Sequence, residues 1–244
     1  METITILVVD DEPEITELIA MYLSRESFDV HTADNAADAL ALVDRLKPDM
    51  VILDIQLGPM DGIEVCRRIR ERSDMPILFV SCKDDDTDII HGLEVGGDDY
   101  VTKPFSPRQL VARVHAHLRR QGLLNAGSAR ENEEPAILSF EGLTIDCDGY
   151  TVERDGTAVA LSAKEFELLT FLARHPGKAY QLDELYRIIW GADSMGDTRT
   201  LMVHISNLRK KIEPDPANPA YIQTVRGVGY KFTAKEGSNP HVYR

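Results

Sequence analysis

In the first half of the chain, Ile4–Val9, Met50–Leu53 and Ile77–Val80 are apolar at nearly every position, and Tyr100–Thr102 is a shorter run of the same kind. A strand with one wet face alternates apolar and polar residues, whereas a strand covered on both faces does not. These runs are therefore predicted as strands of a buried parallel sheet, with a fifth near 29–32. Apolar residues recur at helical spacing over 13–24, 35–46, 62–72, 87–95 and 107–120. Ser106-Pro107 supplies a cap and first turn for the last of these, and Leu110, Val111, Val114 and Leu118 form its apolar stripe. Alternating strands and helices predict an α/β, doubly wound, flavodoxin-like sheet of five parallel strands over residues 1–120.

Residues 121–136 lose both periodicities, are polar and Gly-containing, and read as a flexible linker. Short alternating segments follow at Ile137–Phe140, Leu143–Asp146, Thr151–Arg154 and Ala158–Leu161, split by Asp-Gly turns. They predict a small antiparallel sheet. Ser162-Ala163-Lys164-Glu165 is a capping box opening a helix that buries Phe166, Leu169, Leu172 and Ala173, and His175-Pro176-Gly177 ends it. A second helix carries Leu182, Leu185, Ile188 and Ile189, and a third runs from about 198 to 213 with Leu201, Ile205, Leu208 and Ile212 on one face. A hairpin, Tyr221–Val225 and Tyr230–Thr233 around Arg226-Gly227-Val228-Gly229, closes an α+β domain over 137–233. Residues 234–244 read as a frayed tail.

Composition changes this picture in two places. The net charge of −14 over 244 residues argues at first sight against a nucleic-acid partner. Residues 1–120, however, hold 24 acids and 13 bases, whereas 199–244 hold 8 bases and 3 acids, a basic C-terminal face hidden in an acidic total. Cys66, Cys82 and Cys147 have neither disulfide nor metal spacing and read as small apolar residues in a reducing compartment. With no apolar run of membrane-span length and no signal-peptide pattern, the expectation is a cytoplasmic protein without a membrane partner.

The candidate chemistry stands at strand ends. In an open α/β sheet, ligands bind beyond the carboxyl ends of the strands. The first strand ends in Asp10-Asp11-Glu12, the third in Asp54, the fourth in Ser81 and the fifth in Lys103-Pro104. Alone, Asp54 reads as well as a strand-end or capping residue. If the strands are neighbours, Asp10, Asp11 and Asp54 converge, and a hard cation such as Mg²⁺ would relieve their repulsion. A carboxylate nucleophile, a metal seat, a hydroxyl and an ammonium together fit phosphoryl transfer to Asp54.

By the spacing of Asp10-Asp11, Asp54, Ser81 and Lys103-Pro104-Phe105, and by Gly92-Leu93-Glu94-Val95-Gly96-Gly97-Asp98-Asp99-Tyr100, residues 4–120 resemble the receiver domain of two-component response regulators. Residues 137–233 resemble the winged-helix DNA-binding domain of the OmpR/PhoB family. Leu161–Phe166, Trp190-Gly191, Arg199-Thr200, Val203-His204-Ile205, Leu208–Lys211 and Thr224–Tyr230 carry that match. The resemblance implies a transcription regulator, not an enzyme beyond self-catalysed phosphotransfer and dephosphorylation at Asp54. The phosphoryl group would come from a sensor histidine kinase. Mg²⁺ would be held by Asp11, Asp54 and the Gln56 carbonyl, with Asp10 acting through water. Ser81 and Lys103 would hold the phosphoryl group, and Tyr100 would swing inward as the switch. A receiver homodimer, using Ile89, Asp98, Asp99, Gln109 and Arg113, would then bind direct-repeat promoter DNA, with RNA polymerase a further partner.

On the third helix of that domain, the face opposite the apolar stripe carries Arg199, Val203, Ser206, Asn207 and Lys210, with Arg209 on its flank. It reads either as a solvated basic face or as a helix for the major groove, where Arg and Asn bond base edges and Val meets a thymine methyl. Arg226 on its glycine turn suits a minor groove and favours the second reading. With His204 and Thr224, these residues make the expected DNA contacts. The resemblance gives Trp190, His204 and Tyr230 packing or phosphate contacts.

The chain departs from the family pattern at several positions. Gly58-Pro59 inverts a usual Pro-Gly, and Gly97 replaces the usual Ala, which predicts a looser turn before the switch strand. Ile89 and Gln109 replace a basic–acidic pair, Met202 a common Asp, and Asn207 a common Arg. Gln56 and Lys83, each two residues past a site residue, are placed to tune the lifetime of a phospho-aspartate. Two other functions stay open: a regulator that binds DNA without phosphorylation, and an aspartyl-phosphate phosphatase, which would need an acid where Gln56 stands.

Overall fold

The computed structural model describes residues 3–58, 60–120, 137–191 and 198–233. The segments assigned to the linker and the tail, 121–136 and 234–244, lie outside the described residues, as does Pro59. By internal contacts the chain divides into two compact units, one built mainly on residues 1–126 and the other mainly on 127–244.

In the first unit, β1 (Thr5–Val9), β2 (Asp29–Ala33), β3 (Met50–Leu53), β4 (Ile77–Ser81) and β5 (Asp99–Thr102) alternate with α1 (Pro13–Arg25), α2 (Ala36–Leu46), α3 (Gly62–Arg70), α4 (Asp86–Val95) and α5 (Pro107–Arg120). All strand pairings are parallel and the order is β2-β1-β3-β4-β5, the flavodoxin-like sheet expected. Apolar runs here do mean two covered faces. Ile6, Val8, Met50, Ile52, Leu78 and Val80 pack with Ile19 and Leu23 of α1 and with Leu110, Val114 and Leu118 of α5. The intervening Leu7, Val9, Val51, Leu53, Ile77 and Phe79 are buried as well. Each such side chain contributes about 1.5–3 kcal/mol of burial. The order reverses between β1 and β3, so the crevice for a ligand opens where Asp10 and Asp54 leave the sheet.

The second unit contains β6 (Ile137–Phe140), β7 (Leu143–Asp146), β8 (Thr151–Arg154), β9 (Thr157–Ala158), α6 (Ala163–Arg174), β10 (Ala179–Gln181), α7 (Leu182–Trp190), α8 (Thr198–Ile212), β11 (Ile222–Val225) and β12 (Gly229–Phe232). An antiparallel β6-β7-β8-β9 sheet comes first, and a β10-β12-β11 sheet forms the wing. Two sequence expectations need correction. The fourth strand covers only Thr157–Ala158, because the chain turns to bury Leu161 ahead of the Ser162 capping box. The hairpin also gains a third strand, β10, paired Tyr180 to Tyr230. Its three residues are too few to show a period. Leu201, Ile205, Leu208 and Ile212 of α8 are buried, as are Leu169 and Leu172 of α6 and Phe232 of the wing.

No helix among the described residues is long and apolar enough to cross a membrane. The cysteines are free, but only Cys66 and Cys147 are buried. Burial pushes the Cys66 thiol up to about 12. Cys82, next to the end of β4, is exposed and is not the core residue expected.

Candidate functional site

Asp54 follows β3 and is 3% exposed. Its backbone N–H bonds the Val9 carbonyl at 2.8 Å, which brings the end of β3 against the end of β1. Its Oδ1 accepts the Gln56 N–H at 3.1 Å. A Cβ at Gly62 would lie 2.0 Å from the Asp54 carbonyl oxygen, so only glycine lets the start of α3 close over this loop. Gly58, φ +72°, takes the left-handed turn that the inverted Gly-Pro order demands.

Asp10 is equally buried, and its Oδ1 accepts the Glu12 N–H at 3.0 Å. Lys103, whose peptide bond to Pro104 is cis, follows β5 and reaches in from its end. Its Nζ lies 2.8 Å from Asp10, 2.9 Å from Glu12 and 2.7 Å from Asp54. The ammonium is thus the counter-charge to three carboxylates. Burial would lower its pKa, but bonds to Asp10, Asp54 and Glu12 hold it above the ordinary lysine value. Burial pushes the Asp10 carboxyl above its ordinary value, with Lys103 opposing.

Asp10, Glu12 and Asp54 place ligand oxygens within 4.8 Å of one another. This all-oxygen set suits a hard divalent cation with retained waters, Mg²⁺ above softer metals. The sequence reading named Asp11 as a ligand. Asp11 and Glu12 are both exposed at the rim of the site, and Glu12 is the one whose carboxylate meets Lys103 and completes the trio here. Beyond a strand end no periodicity says which of two neighbouring acids points inward; here the Asp10–Glu12 bond and Lys103 decide it. Gln56 is exposed.

Ser81 ends β4 and its carbonyl accepts the Lys103 N–H at 2.8 Å. Its buried hydroxyl has no hydrogen-bond partner among the described residues. Burial pushes the neighbouring Tyr100 phenol above its ordinary value, with the Ser81 hydroxyl opposing. Tyr100 is already turned in, 6% exposed, with its hydroxyl donating to the Lys83 carbonyl at 2.7 Å. The Lys83 ammonium lies 3.2 Å from Asp88.

The turn before β5 is not loose. Arg70 bonds the Gly96 carbonyl at 2.8 Å and Asp98 at 2.6 Å, and the Phe79 ring fills the space beside Gly97 where an alanine Cβ would sit. Asp98, expected at a dimer face, is fully buried and also accepts the Ile77 N–H. Ile89 is buried and Gln109 exposed. Asp99 pairs with Arg113 at 2.5 Å and with His117 at 3.7 Å. Burial opposes the Asp99 charge, but Arg113 and His117 hold its carboxyl well below the usual range.

In the second unit, Met202, Ser206 and Lys210 of α8 are exposed and Arg199 is half-buried, whereas Val203, His204 and Asn207 are buried. Helical period assigns an angle around the axis but not what covers it, so Val203 and Asn207, expected on the reading face, are covered here. Arg209 and Thr224 are also engaged within the unit. Arg209 donates to the Ile222 carbonyl at 2.7 and 3.0 Å and to Thr224 Oγ1 at 2.9 Å, and lies over the Tyr230 ring. Glu213, one turn later and buried, accepts the N–H groups of Ala220, Tyr221 and Ile222 at 2.6–3.0 Å. Together they clamp the wing to α8. Glu213 escaped the sequence reading, since a carboxylate after a basic run looks solvated. At the wing tip Arg226 is exposed.

Comparison with known proteins agrees with this geometry. A response regulator receiver domain model matches residues 6–115, and a model of the C-terminal domain of transcriptional regulatory proteins matches residues 156–232. The DNA-binding response regulator MtrA of Mycolicibacterium smegmatis is 44% identical over 226 residues, 93% of this chain and 95% of that protein. The crystal structure of DrrB, described as a Thermotoga maritima OmpR/PhoB homologue, is 35% identical over 96% of this chain and 100% of that one, with a TM-score of 0.50. A RitR mutant structure is 24% identical over 95% of this chain and 99% of that one, with a TM-score of 0.72, a likeness of fold alone. Similarity of this degree along nearly the whole length leaves one assignment: the chain belongs to the OmpR/PhoB family of two-component response regulators, DNA-binding transcription factors and not conventional enzymes.

Proposed function

We propose that this protein is a cytoplasmic regulator switched by phosphorylation of Asp54, with a sensor histidine kinase as donor. The observation that carries the reading is the Asp10–Glu12–Asp54 cluster with Lys103 at its centre. The Asp54 carboxylate attacks the phosphorus of a phosphohistidine, the P–N bond breaks, and the imidazole leaves with the electron pair and takes up a proton. Asp10, Glu12 and Asp54 are the residues that would hold Mg²⁺, with Asp11 and the Gln56 carbonyl on the rim as further candidates. When bound, the cation supplies charge neutralisation to the carboxylates and the phosphoryl oxygens. Lys103 follows the charge from Asp54 onto the phosphoryl group, and the Ser81 hydroxyl supplies the hydrogen bond it does not spend within the protein.

The output is a receiver homodimer that sets two winged helices on direct-repeat half-sites in promoter DNA. Arg199, Ser206 and Lys210 meet the major groove, Arg226 reaches the adjacent minor groove, and RNA polymerase is a further partner. The Asp99–Arg113 pair is satisfied within one chain, so dimerisation on that face would exchange an internal pair for one between chains.

A second reading, DNA binding without phosphorylation, is favoured by one observation: the Tyr100 side chain is turned inward and its hydroxyl is spent on the Lys83 carbonyl. Acetyl phosphate with Mg²⁺ separates the two. Stoichiometric labelling of wild type, none of Asp54→Ala, and at least tenfold tighter DNA binding after labelling are expected. An unlabelled protein that binds DNA equally well in both forms would establish the second reading instead.

A further inference from the structure

Two large apolar side chains among the described residues stand exposed on the elements proposed to face DNA: Met202 in α8, 50% exposed, and Val228 at the wing tip, 41% exposed. Met202 lies in the first half of α8, one turn before Ser206 and two turns before Lys210, both exposed. Residues four apart stack along one helical ridge. From its N-terminal end this ridge therefore reads thioether, hydroxyl, ammonium. Val203, the neighbour expected to offer an apolar contact, is buried and cannot offer it in this arrangement.

We infer that Met202 is a specificity-determining residue that reads the 5-methyl group of a thymine in the major groove. The inference rests on the DNA-binding reading above. Recognition helices present the residues of their N-terminal half to base edges, while cations farther along meet phosphates and carry no sequence information. Among major-groove edges the thymine methyl is the apolar feature; the others are hydrogen-bond donors and acceptors. A thioether donates nothing and accepts weakly. Laid against the cytosine amino group or the guanine O6 and N7, it strips those groups of water and returns no bond. Met202 thus selects thymine by contact and rejects guanine and cytosine by desolvation. The hydroxyl of Ser206 bonds donors and acceptors alike and adds little discrimination. An aspartate at this position would favour a cytosine amino group instead.

The test uses the full chain, treated with acetyl phosphate and Mg²⁺, in selection from a random duplex library. The selected site is then remade with uracil replacing each thymine in turn. One thymine per half-site should lose about three- to fivefold in affinity when its methyl is removed, the amount one buried methyl contributes. That loss should vanish in Met202→Ala and persist in Met202→Leu, and Met202→Asp should move the selected base from thymine to cytosine. Unchanged motifs and unchanged thymine-to-uracil ratios in Met202→Ala and Met202→Asp would overturn the inference while leaving DNA binding intact. A wild-type protein that selects no site would overturn the DNA-binding reading and this inference with it.

Discussion

Asp54 and the exposed ridge of α8 solve opposite problems. Asp54 is buried, and its two oxygens are engaged by the Gln56 amide of its own loop and by Lys103 from beyond β5. Met202, Ser206 and Lys210 come from one helix and stand in solvent. A group that must react in a shielded pocket is preorganised by charges already in place, and removing one leaves the others unbalanced. A surface that must fit an outside partner keeps its contacts separate, so each can be lost or exchanged at small cost. The clamp of Arg209 and Glu213 is where the second unit borrows the first one's method, spending buried polar groups on position.

The sharpest break of this comparison removes one ammonium from each face. Lys103→Met should slow labelling by acetyl phosphate about 100-fold or more, read by phosphoprotein gel or mass spectrometry, because three carboxylates lose their counter-charge. Lys210→Met should weaken DNA binding only several-fold and reduce the slope of log affinity against log salt by about 1. Similar losses on both faces would erase the distinction.

Glu213→Ala should come next. Stranding two buried N–H groups and one half-buried one should cost about 3 kcal/mol in denaturant unfolding of the second unit, and Glu213→Gln should recover part of it. A loss within error would mean that water replaces the carboxylate. The smallest effect is expected at Gly97→Ala, whose Cβ would approach the Phe79 ring to 2.6 Å. It should cost about 1–3 kcal/mol in the same measurement on the first unit, and a neutral or stabilising result would show that the turn before β5 has slack.

Much of the acidic cluster around Asp54 was legible because a parallel sheet leaves little choice. Asp10, Asp54, Ser81 and Lys103 each end an apolar run, and parallel strands in register carry their C-terminal ends to one edge. The capping box at Ser162 was equally visible, since its partners are three residues apart. The DNA face was less legible. Arg209 and Thr224 looked like two contacts for DNA and are partners of each other across 15 residues, a pairing that no local pattern encodes.

The amino-acid order alone determined the helices, every strand of the first unit's sheet and which residue types stand at that sheet's edge, because burial on two faces and helical period are local signals; in the second unit it left β10 unseen and overran β9. Tertiary structure decided the rest. It set the Glu12 carboxylate against Lys103, packed Phe79 into the room left by Gly97, buried Val203 and Asn207, and left Met202 in water. These outcomes depend on which distant atoms arrive at each side chain, and packing at close to crystal density settles that only when the whole chain is in place.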